Sequence, residues 1–387
     1  MSAYTLKVRR YQPEAEEDDK RGAYWETFDV ELDPTLSVLD GLLQAKNDKD
    51  GTLAVRCSCR AAICGSCGVK INGQSTLACK TQLGEAAEEA ARMSRNGGGE
   101  AEIVVEPMGN MPVIKDLVTD MESTHWTKFR RVTPWLLPSG PPPEREYIVP
   151  AESMVDVTQS VACIQCGACV SSCLSMEADP EFIGPAALAK AYRFVGDPRD
   201  GQTTERLFDL ANDPHGMYDC THCFSCIDAC PKGVAPMNQI MRLRRLAGDD
   251  HDIQDVNNGR NHELAFVKNI KKKGTLDESL LLQESYAPGV KGKLMPRVSS
   301  IKGLLGSIPT AIRGIRTGKM RSVPKLIPGV HHKLPGDAQG HVKEIYERAE
   351  ESKIQLNLYI IGEGGEEDHA AEDVEPESVS EEPTPTA

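Results

Sequence analysis

Two runs of cysteines with the same spacing constrain this sequence more than any other feature. Each run follows the pattern C-x2-C-x2-C-x3-C. The first run consists of Cys163, Cys166, Cys169 and Cys173, and the second of Cys220, Cys223, Cys226 and Cys230. This spacing is typical of paired [4Fe–4S] clusters, in which the fourth cysteine of each run ligates the other cluster. The chain between the runs must therefore fold so that the two runs meet.

The crossed arrangement divides these eight cysteines into two predicted ligand sets. One [4Fe–4S] cluster is expected on Cys163, Cys166, Cys169 and Cys230. The other cluster is expected on Cys173, Cys220 and Cys226, with Cys223 as the fourth ligand. A single run would be moderate support for such a site, and the repeat of the spacing makes it strong.

A third group of cysteines has the pattern C-x4-C-x2-C followed by a distant fourth cysteine. Its members are Cys59, Cys64, Cys67 and Cys79. This is the plant-type spacing for a [2Fe–2S] cluster. Gly65 and Gly68 fit such a loop, because residues without a side chain let backbone N–H groups approach the sulfides. A zinc site is the alternative, but zinc sites usually have two short C-x2-C units and only one is present here.

The three sets account for all but one of the 13 cysteines and leave Cys57 unassigned. A spare thiol is the simpler interpretation of Cys57, and its use as a substitute ligand stays open. The N-terminus shows neither an apolar signal core nor an Arg-rich presequence, so a reducing cytosol is expected. In that compartment clustered cysteines hold metal more often than they form disulfides.

The net charge of −14 is unevenly distributed along the chain. Residues 363–387 contain ten acidic residues and no Lys or Arg, which predicts a disordered acidic tail over 362–387. Residues 268–333 carry fourteen Lys and Arg against three acidic residues, which makes the C-terminal extension, residues 249–361, basic. A basic segment can lie against anionic lipid, an acidic partner or solvent. No stretch approaches the roughly 20 apolar residues that a membrane helix needs.

The hydrophobic pattern changes along the chain and predicts an α+β protein. Residues 1–110 favour two strands, a helix, a hairpin at Asn72-Gly73 and a final strand. Within that unit, residues 85–99 are expected to form a surface insertion. A Pro-rich linker is predicted over 111–150, and helical periodicity follows over 151–248.

No catalytic motif accompanies the cysteines. No G-x-G-x-x-G follows a strand, no P-loop occurs, and the nine histidines are scattered. We therefore assign no catalytic residue to this chain, and interpret three clusters in one chain as a conductor of electrons. An iron–sulfur sensor or structural protein is the alternative, but the sequence lacks a nucleic-acid-binding motif.

Short motifs around the cysteines resemble the iron–sulfur subunit of succinate dehydrogenase and fumarate reductase. The motifs in the N-terminal part are Ser58-Cys59-Arg60, Ile63-Cys64-Gly65-Ser66-Cys67, Thr76-Leu77-Ala78-Cys79, Pro112-Val113-Ile114-Lys115-Asp116-Leu117 and Pro134-Trp135-Leu136. Those that follow are Cys163-Ile164-Gln165-Cys166-Gly167, Phe182-Ile183-Gly184-Pro185, Ala191-Tyr192-Arg193-Phe194, Asp197-Pro198-Arg199-Asp200 and Cys230-Pro231-Lys232-Gly233. The likeness covers about residues 4–248, with the motifs in the family's order.

The resemblance implies a β-grasp [2Fe–2S] ferredoxin domain followed by an α-helical ferredoxin domain with two cubane-type clusters. It also implies a flavoprotein partner with covalent FAD, which oxidises succinate to fumarate, and a membrane anchor where quinone is reduced. In that scheme electrons pass one at a time from the FAD through the Cys59, Cys163 and Cys173 clusters to quinone. The chain would then be peripheral, on the cytoplasmic face of a prokaryotic membrane.

The sequence departs from the family pattern in two places. The family's third cluster is usually [3Fe–4S], because the middle position of the second run is not cysteine, whereas Cys223 here favours a second [4Fe–4S] cluster. At the family's quinone positions this chain has Leu174, Ser175 and Thr221 and no nearby tryptophan, so Ser175 alone stays a candidate quinone residue. These departures leave a second function open, the electron-transfer subunit of a thiol-linked fumarate reductase or heterodisulfide-reductase-like complex. The cysteine-rich module for thiol chemistry is absent from the sequence, which disfavours that alternative.

Overall fold

The computed structural model describes residues 2–13, 22–94, 102–141, 143–149, 151–251, 259–274 and 337–356, and isolated positions between 253 and 316. The strands are β1 (Ser2–Tyr11), β2 (Ala23–Leu32), β3 (Gly68–Ile71), β4 (Gln74–Leu77), β5 (Ile103–Glu106), β6 (Val113–Lys115) and β7 (Val118–Thr119). The helices are α1 (Val38–Asp48), α2 (Leu83–Ser94), α3 (Thr127–Arg131), α4 (Ala151–Val161), α5 (Ala168–Ser171), α6 (Leu174–Ala178), α7 (Pro185–Val195), α8 (Thr203–Asn212), α9 (Ser225–Asp228), α10 (Pro236–Arg245), α11 (Gly259–Lys273) and α12 (Ala338–Leu356). Single π-helical or 3₁₀ turns lie at Glu122–Trp126, Met217–Asp219 and Leu246–Asp250.

The N-terminal part contains a five-stranded sheet with the strand order β2-β1-β5-β3-β4. Strands β1 and β5 are parallel, with Leu6 opposite Ile103, and the other neighbouring pairs are antiparallel. The alternation that predicted β1 places Leu6 and Val8 in the core, fully buried. Helix α1 begins at a capping box in which the Ser37 and Asp40 side chains each bond the other's backbone N–H. The order of strands and helix agrees with the predicted α+β unit.

The surface insertion expected at residues 85–99 is wrong for the part that the structure describes. Helix α2 occupies most of it and buries Leu83, Ala86 and Ala90. The predicted Pro-rich linker, residues 111–150, also contains regular structure, namely the β6–β7 hairpin and helix α3. Both segments are rich in alanine or proline. Their hydrophobic periodicity is therefore too weak to predict the helix or the hairpin.

The second part is helical, as its periodicity predicted. Its core is formed mainly by α7, α8 and α10, with side chains such as Leu188, Leu207 and Ile240 fully buried. Helix α7 starts at Pro185, which directly follows Gly184 with a φ of 90°. Proline suits this first position because its missing N–H has no helical partner there.

The two parts pack against each other around the first cysteine run. The hydroxyl oxygens of Ser75 on β4 and Ser171 on α5 lie 2.7 Å apart in a buried hydrogen bond. The Asn110 side-chain amide donates to the carbonyl oxygens of Val170, at 2.8 Å, and Cys173, at 2.9 Å. The first run is therefore fixed to the sheet domain as well as to its own helices.

The basic C-terminal extension is described at α11, at α12 and at isolated positions. Helix α11 buries Ala265 and Asn269. No helix among the described residues is long and apolar enough to span a membrane. The predicted acidic tail, 362–387, lies outside the described residues, as does most of the extension between α11 and α12.

Candidate functional site

The cysteines of the N-terminal set lie around one irregular loop between α1 and β3, with Cys79 just beyond β4. Cys59 and Cys64 are exposed, whereas Cys67 is buried. The loop backbone turns through left-handed conformations at Arg60, Ala62 and Gly65, with φ of 55°, 55° and 73°. Such turns close the loop tightly, so that its N–H groups point inwards.

Backbone N–H groups of this loop donate to the cysteine sulfurs. The amides of Ala61, Ile63 and Cys64 lie 3.4, 3.3 and 3.3 Å from Cys59 Sγ. The Ala62 amide lies 3.3 Å from Cys79 Sγ. Donors of this kind stabilise thiolates and tune the potential of iron–sulfur clusters, so the loop fits a [2Fe–2S] group.

Hydrogen bonds and burial shift the pKa values of two cysteines in the N-terminal set in opposite directions. A hydrogen bond with the Ser66 hydroxyl, together with hydrogen bonds to the loop backbone, lowers the pKa of Cys64 to about 6. Burial raises the pKa of Cys67 to about 12. A buried thiol of this kind is held as a thiolate only when a cation or metal compensates it, which suits a ligand position.

The first predicted cubane set surrounds a single cavity. Cys163, Cys166 and Cys169 line it together with Cys230 from the second run. Burial raises the pKa of Cys166 to about 11, and the nearby thiols of Cys163 and Cys230 raise it further. The fourth cysteine of the second run therefore lies with the first three of the other run, as the crossed pairing predicts.

The remaining set is also assembled from both runs. Burial raises the pKa of Cys226 to about 12, and the neighbouring Cys220, Cys173 and Cys223 thiols raise it further. Burial tends to raise the pKa of Cys223, but hydrogen bonds with Ser225 and with loop backbone outweigh it and lower that pKa overall. Cys223 thus belongs to the same group of thiols as the other three and is available as a fourth ligand.

The two runs adopt the same local backbone. Left-handed residues occur two and four positions after the first cysteine of each run, at Gln165 and Gly167 and again at His222 and Phe224. A short helix then starts at the next position in both runs, α5 and α9. Phe224 adopts at a φ of 63° the conformation for which the first run uses glycine. The two runs therefore present their cysteines on loops of the same backbone shape.

The three sets are neighbours in space. A Cβ atom placed on Gly65, in the N-terminal loop, would lie 2.7 Å from Cys166 Cβ. Burial raises the pKa of Cys169, and the thiols that raise it further include Cys226 of the third set. The first cubane set therefore lies between the N-terminal loop and the third set.

Ser175 is buried and Cys57 is half-buried. The Ser175 hydroxyl lies 3.2 Å from Thr221 Oγ1 and accepts from the Thr221 N–H at 3.1 Å, so it ties α6 to the second run. Leu174, which precedes Ser175, and Phe224, which follows Cys223, are 52% and 56% exposed. Cys57 is half-buried against the core of the sheet domain. A quinone role for Ser175 and a spare role for Cys57 stay predictions.

Three side chains next to the cysteine sets were missed from sequence. His125 is 2% exposed, and burial lowers its pKa to about 4 while the Gln165 backbone raises it. Lys190 Nζ lies 5.3 Å from the Phe194 ring centre. Burial lowers the pKa of Lys190, and the nearby Cys163 thiol opposes that shift. Lys190 interrupts an apolar helix, which was a usable signal. Arg244 is 4% exposed, but the sequence gave no signal for it, because several arginines in one helix usually indicate a solvent-exposed face.

Two family models match the chain. A "2Fe-2S iron-sulfur cluster binding domain" matches residues 5–126 and a "4Fe-4S dicluster domain" matches residues 159–234. Both cluster domains expected from the cysteine spacing are thereby confirmed, and the type of the third cluster is left open.

Relatives match over most of their own length. The fumarate reductase iron-sulfur subunit of Mycobacterium tuberculosis is 38% identical over 249 residues, which are 64% of this chain and 94% of that protein. The succinate dehydrogenase iron-sulfur subunit of Coxiella burnetii is 33% identical over 62% of this chain and 95% of its own. A chain of the solved "Mycobacterium smegmatis Sdh1 complex in the apo form" aligns with a TM-score of 0.51 and 26% identity, covering 64% of this chain and 96% of that chain.

These matches bear on the functions left open by the sequence. They favour electron transfer in a succinate dehydrogenase or fumarate reductase over the heterodisulfide-reductase-like alternative. The matched proteins are named as succinate dehydrogenase or fumarate reductase subunits. Given the two cluster domains and the extent of these matches, the chain belongs to the family of succinate dehydrogenase and fumarate reductase iron–sulfur subunits.

Proposed function

We propose that this chain is the electron-transfer subunit of a succinate:quinone oxidoreductase, carrying electrons between a flavoprotein and quinone. Bound iron–sulfur clusters supply centres that accept and release one electron at a time. The observation that carries the proposal is the adjacency of the three cysteine sets, in the order N-terminal loop, first cubane set and third set. Such a series suits conduction and has no use in a single structural site.

The ligand sets proposed for the three clusters follow the groups of neighbouring thiols. The [2Fe–2S] cluster takes Cys59, Cys64, Cys67 and Cys79. The [4Fe–4S] cluster takes Cys163, Cys166, Cys169 and Cys230, which share one cavity. The third cluster takes Cys173, Cys220, Cys226 and Cys223. With Cys223 present, we favour four irons in that cluster.

The chain's own residues would hold the two ends of the path at its surface. Cys59 and Cys64 are exposed and Ile63 between them is 64% exposed, so a flavoprotein has direct access to this loop. At the other end, exposed Leu174 and Phe224 flank the third set and offer an apolar surface to a membrane anchor. We place the chain as a peripheral subunit on the cytoplasmic face of a prokaryotic membrane.

The proposal is tested by purifying the full chain from membranes of its own cells through an affinity tag. We expect a flavin-containing subunit in equal amount, and succinate-dependent reduction of a soluble quinone analogue. Dithiol-dependent fumarate reduction without quinone activity would support the thiol-linked alternative. Recovery of the chain without flavin, under conditions that keep its clusters, would overturn the proposal.

A further inference from the structure

A buried arginine joins the C-terminal extension to the second cysteine run. Arg244, near the end of α10, donates from Nη1 to Glu263 Oε1 of α11 at 3.0 Å. The same nitrogen lies 2.6 Å from Nε2 of His222, and Nη2 donates to the carbonyl oxygen of Cys220 at 3.1 Å. One guanidinium therefore contacts both the extension and the loop that holds the third cysteine set.

The position of this guanidinium is fixed from several sides. Its Nε and Nη2 atoms donate to the carbonyl oxygen of Met217, at 3.1 and 2.7 Å. Its carbon lies 5.1 Å from the ring centre of Tyr218. Because these contacts come from the turn just before Cys220, the cation stays beside the second run even when one partner is removed.

The carboxylate of Glu263 forms an ion pair with this cation. Asp219, in the turn before Cys220, also interacts electrostatically with Arg244. The Glu263 side chain is 20% exposed, and its second oxygen lies 3.7 Å from Arg260 Nη1. His222 contributes no charge, since its Nε2 must be unprotonated to accept from Arg244.

The extension is seated on this region by close packing as well as by charge. Gly259, the first residue of α11, lies so near the Tyr218 ring that a Cβ atom would overlap it. Ala265 and Asn269, on the same helix, are each 3% exposed. Glu263 lies beyond residue 234, where the match to the dicluster domain ends.

We propose that Glu263 tunes the reduction potential of the third cluster by partly neutralising the Arg244 cation beside Cys220. The inference rests on the ligand set proposed above. Reduction adds one negative charge to a cluster, so a nearby cation raises the potential and a nearby carboxylate lowers it. Arg244 is 4% exposed and the Glu263 side chain is 20% exposed, so solvent screens these charges less than it would at the surface. Glu263 acts through Arg244 and is a positioning residue, not a ligand.

The test is a potentiometric titration of the three clusters, followed by EPR, in the complete complex. Glu263→Gln removes the carboxylate charge and is expected to raise the potential of the third cluster alone. Arg244→Gln is expected to lower it. Glu263→Asp keeps the charge, so its third cluster should have the same potential as in the unmodified complex. Glu344→Gln is the matched control, because Glu344 lies in an exposed ion pair on α12 with its side chain 53% exposed.

The outcomes separate this inference from the ligand assignment. If the unmodified complex shows no third cluster, the proposed ligand set fails. If the cluster is present and Glu263→Gln matches Glu344→Gln, or shifts the potential in the same direction as Arg244→Gln, the tuning role is wrong. If the Glu263→Gln complex does not assemble its clusters, the Arg244→Gln complex provides the test. An unchanged potential of its third cluster would overturn the proposal.

Discussion

Ser75 and Ser171 share a buried hydrogen bond, with their hydroxyl oxygens 2.7 Å apart, across the junction of the sheet and helical domains. Ser171 Oγ also accepts from the Gly109 N–H at 2.8 Å. The residue that ends helix α5, inside the first cysteine run, is thereby held by two segments of the sheet domain. The distance between the [2Fe–2S] loop and the first cubane set depends on this junction.

Removing either hydroxyl should destabilise the junction. Ser171→Ala leaves the Ser75 hydroxyl and the Gly109 N–H without their partner. Ser75→Ala and Ser171→Ala should each lower the unfolding free energy by about 1–3 kcal/mol. The double variant should lose less than the sum of the single variants, because two unpaired groups are removed together. Anaerobic urea unfolding followed by circular dichroism measures this. Strict additivity would show that the two hydroxyls do not interact.

Gly65→Ala should separate the first two clusters. Its φ of 73° disfavours a side chain, and the new Cβ atom would lie 2.7 Å from Cys166 Cβ and 2.9 Å from Cys166 Cα. Gly73→Ala is the matched control, with a φ of 83° and no atom within 4 Å of the new Cβ. Both variants carry similar backbone strain, about 1–3 kcal/mol.

Only Gly65→Ala also displaces the loop from the helical domain. We therefore expect weaker magnetic coupling between the [2Fe–2S] cluster and its neighbour, measured by EPR relaxation of the reduced protein, in Gly65→Ala and not in Gly73→Ala. Equal effects in the two variants would mean that strain alone, and not the contact with Cys166, matters.

Cys223→Ala should convert the third cluster to a three-iron form. Cys223 lies among Cys173, Cys220 and Cys226, so its removal leaves three ligands. We expect one iron fewer per chain and a new three-iron EPR signal in air-oxidised protein. Cys57→Ala, the matched control, should change neither iron content nor spectrum. A full three-iron signal already present in the unmodified protein would contradict the four-cysteine assignment.

Arg10→Met should destabilise the sheet domain strongly. Arg10 is 1% exposed and donates from Nε to Asp116 Oδ1 at 2.9 Å, and the Asp116 side chain is fully buried. Its loss leaves a buried carboxylate uncompensated, which costs about 3–5 kcal/mol. Arg9→Met, which removes a partly exposed arginine over the Trp25 ring, should cost at most about 1 kcal/mol. Urea unfolding compares the two, and similar losses would refute the role given to the Arg10–Asp116 pair.

Local signals in the sequence predicted local structure well. The hairpin expected at Asn72-Gly73 is present, with φ of 49° and 83°, because the residue types themselves favour that turn. The crossing of the two runs was likewise expected from spacing alone, and the structure groups the thiols in that way. The hairpin is governed by its own two residues, whereas the crossing joins cysteines far apart in the chain, such as Cys163 and Cys230. The ligand sets themselves stay a prediction.

The contacts that position these sites could not be predicted in the same way. The bond between Ser75 and Ser171 joins residues 96 apart, and that between Arg10 and Asp116 joins residues 106 apart. A buried arginine in a helix such as α10 has the same sequence signature as an exposed one, so Arg244 was missed. Helix α2 was missed because alanines pack closely without giving a strong apolar pattern.

The central claim is that electrons from succinate oxidation enter this chain at the N-terminal loop and pass along its three clusters. The most direct measurement is freeze-quench EPR of the complete complex, oxidised and then mixed with succinate alone. We predict that the [2Fe–2S] cluster and the third cluster both become reduced within one turnover, and that a Gly65→Ala complex delays the third cluster. Reduction of these clusters by dithionite but not by succinate, in a complex that retains its flavin, would contradict the account.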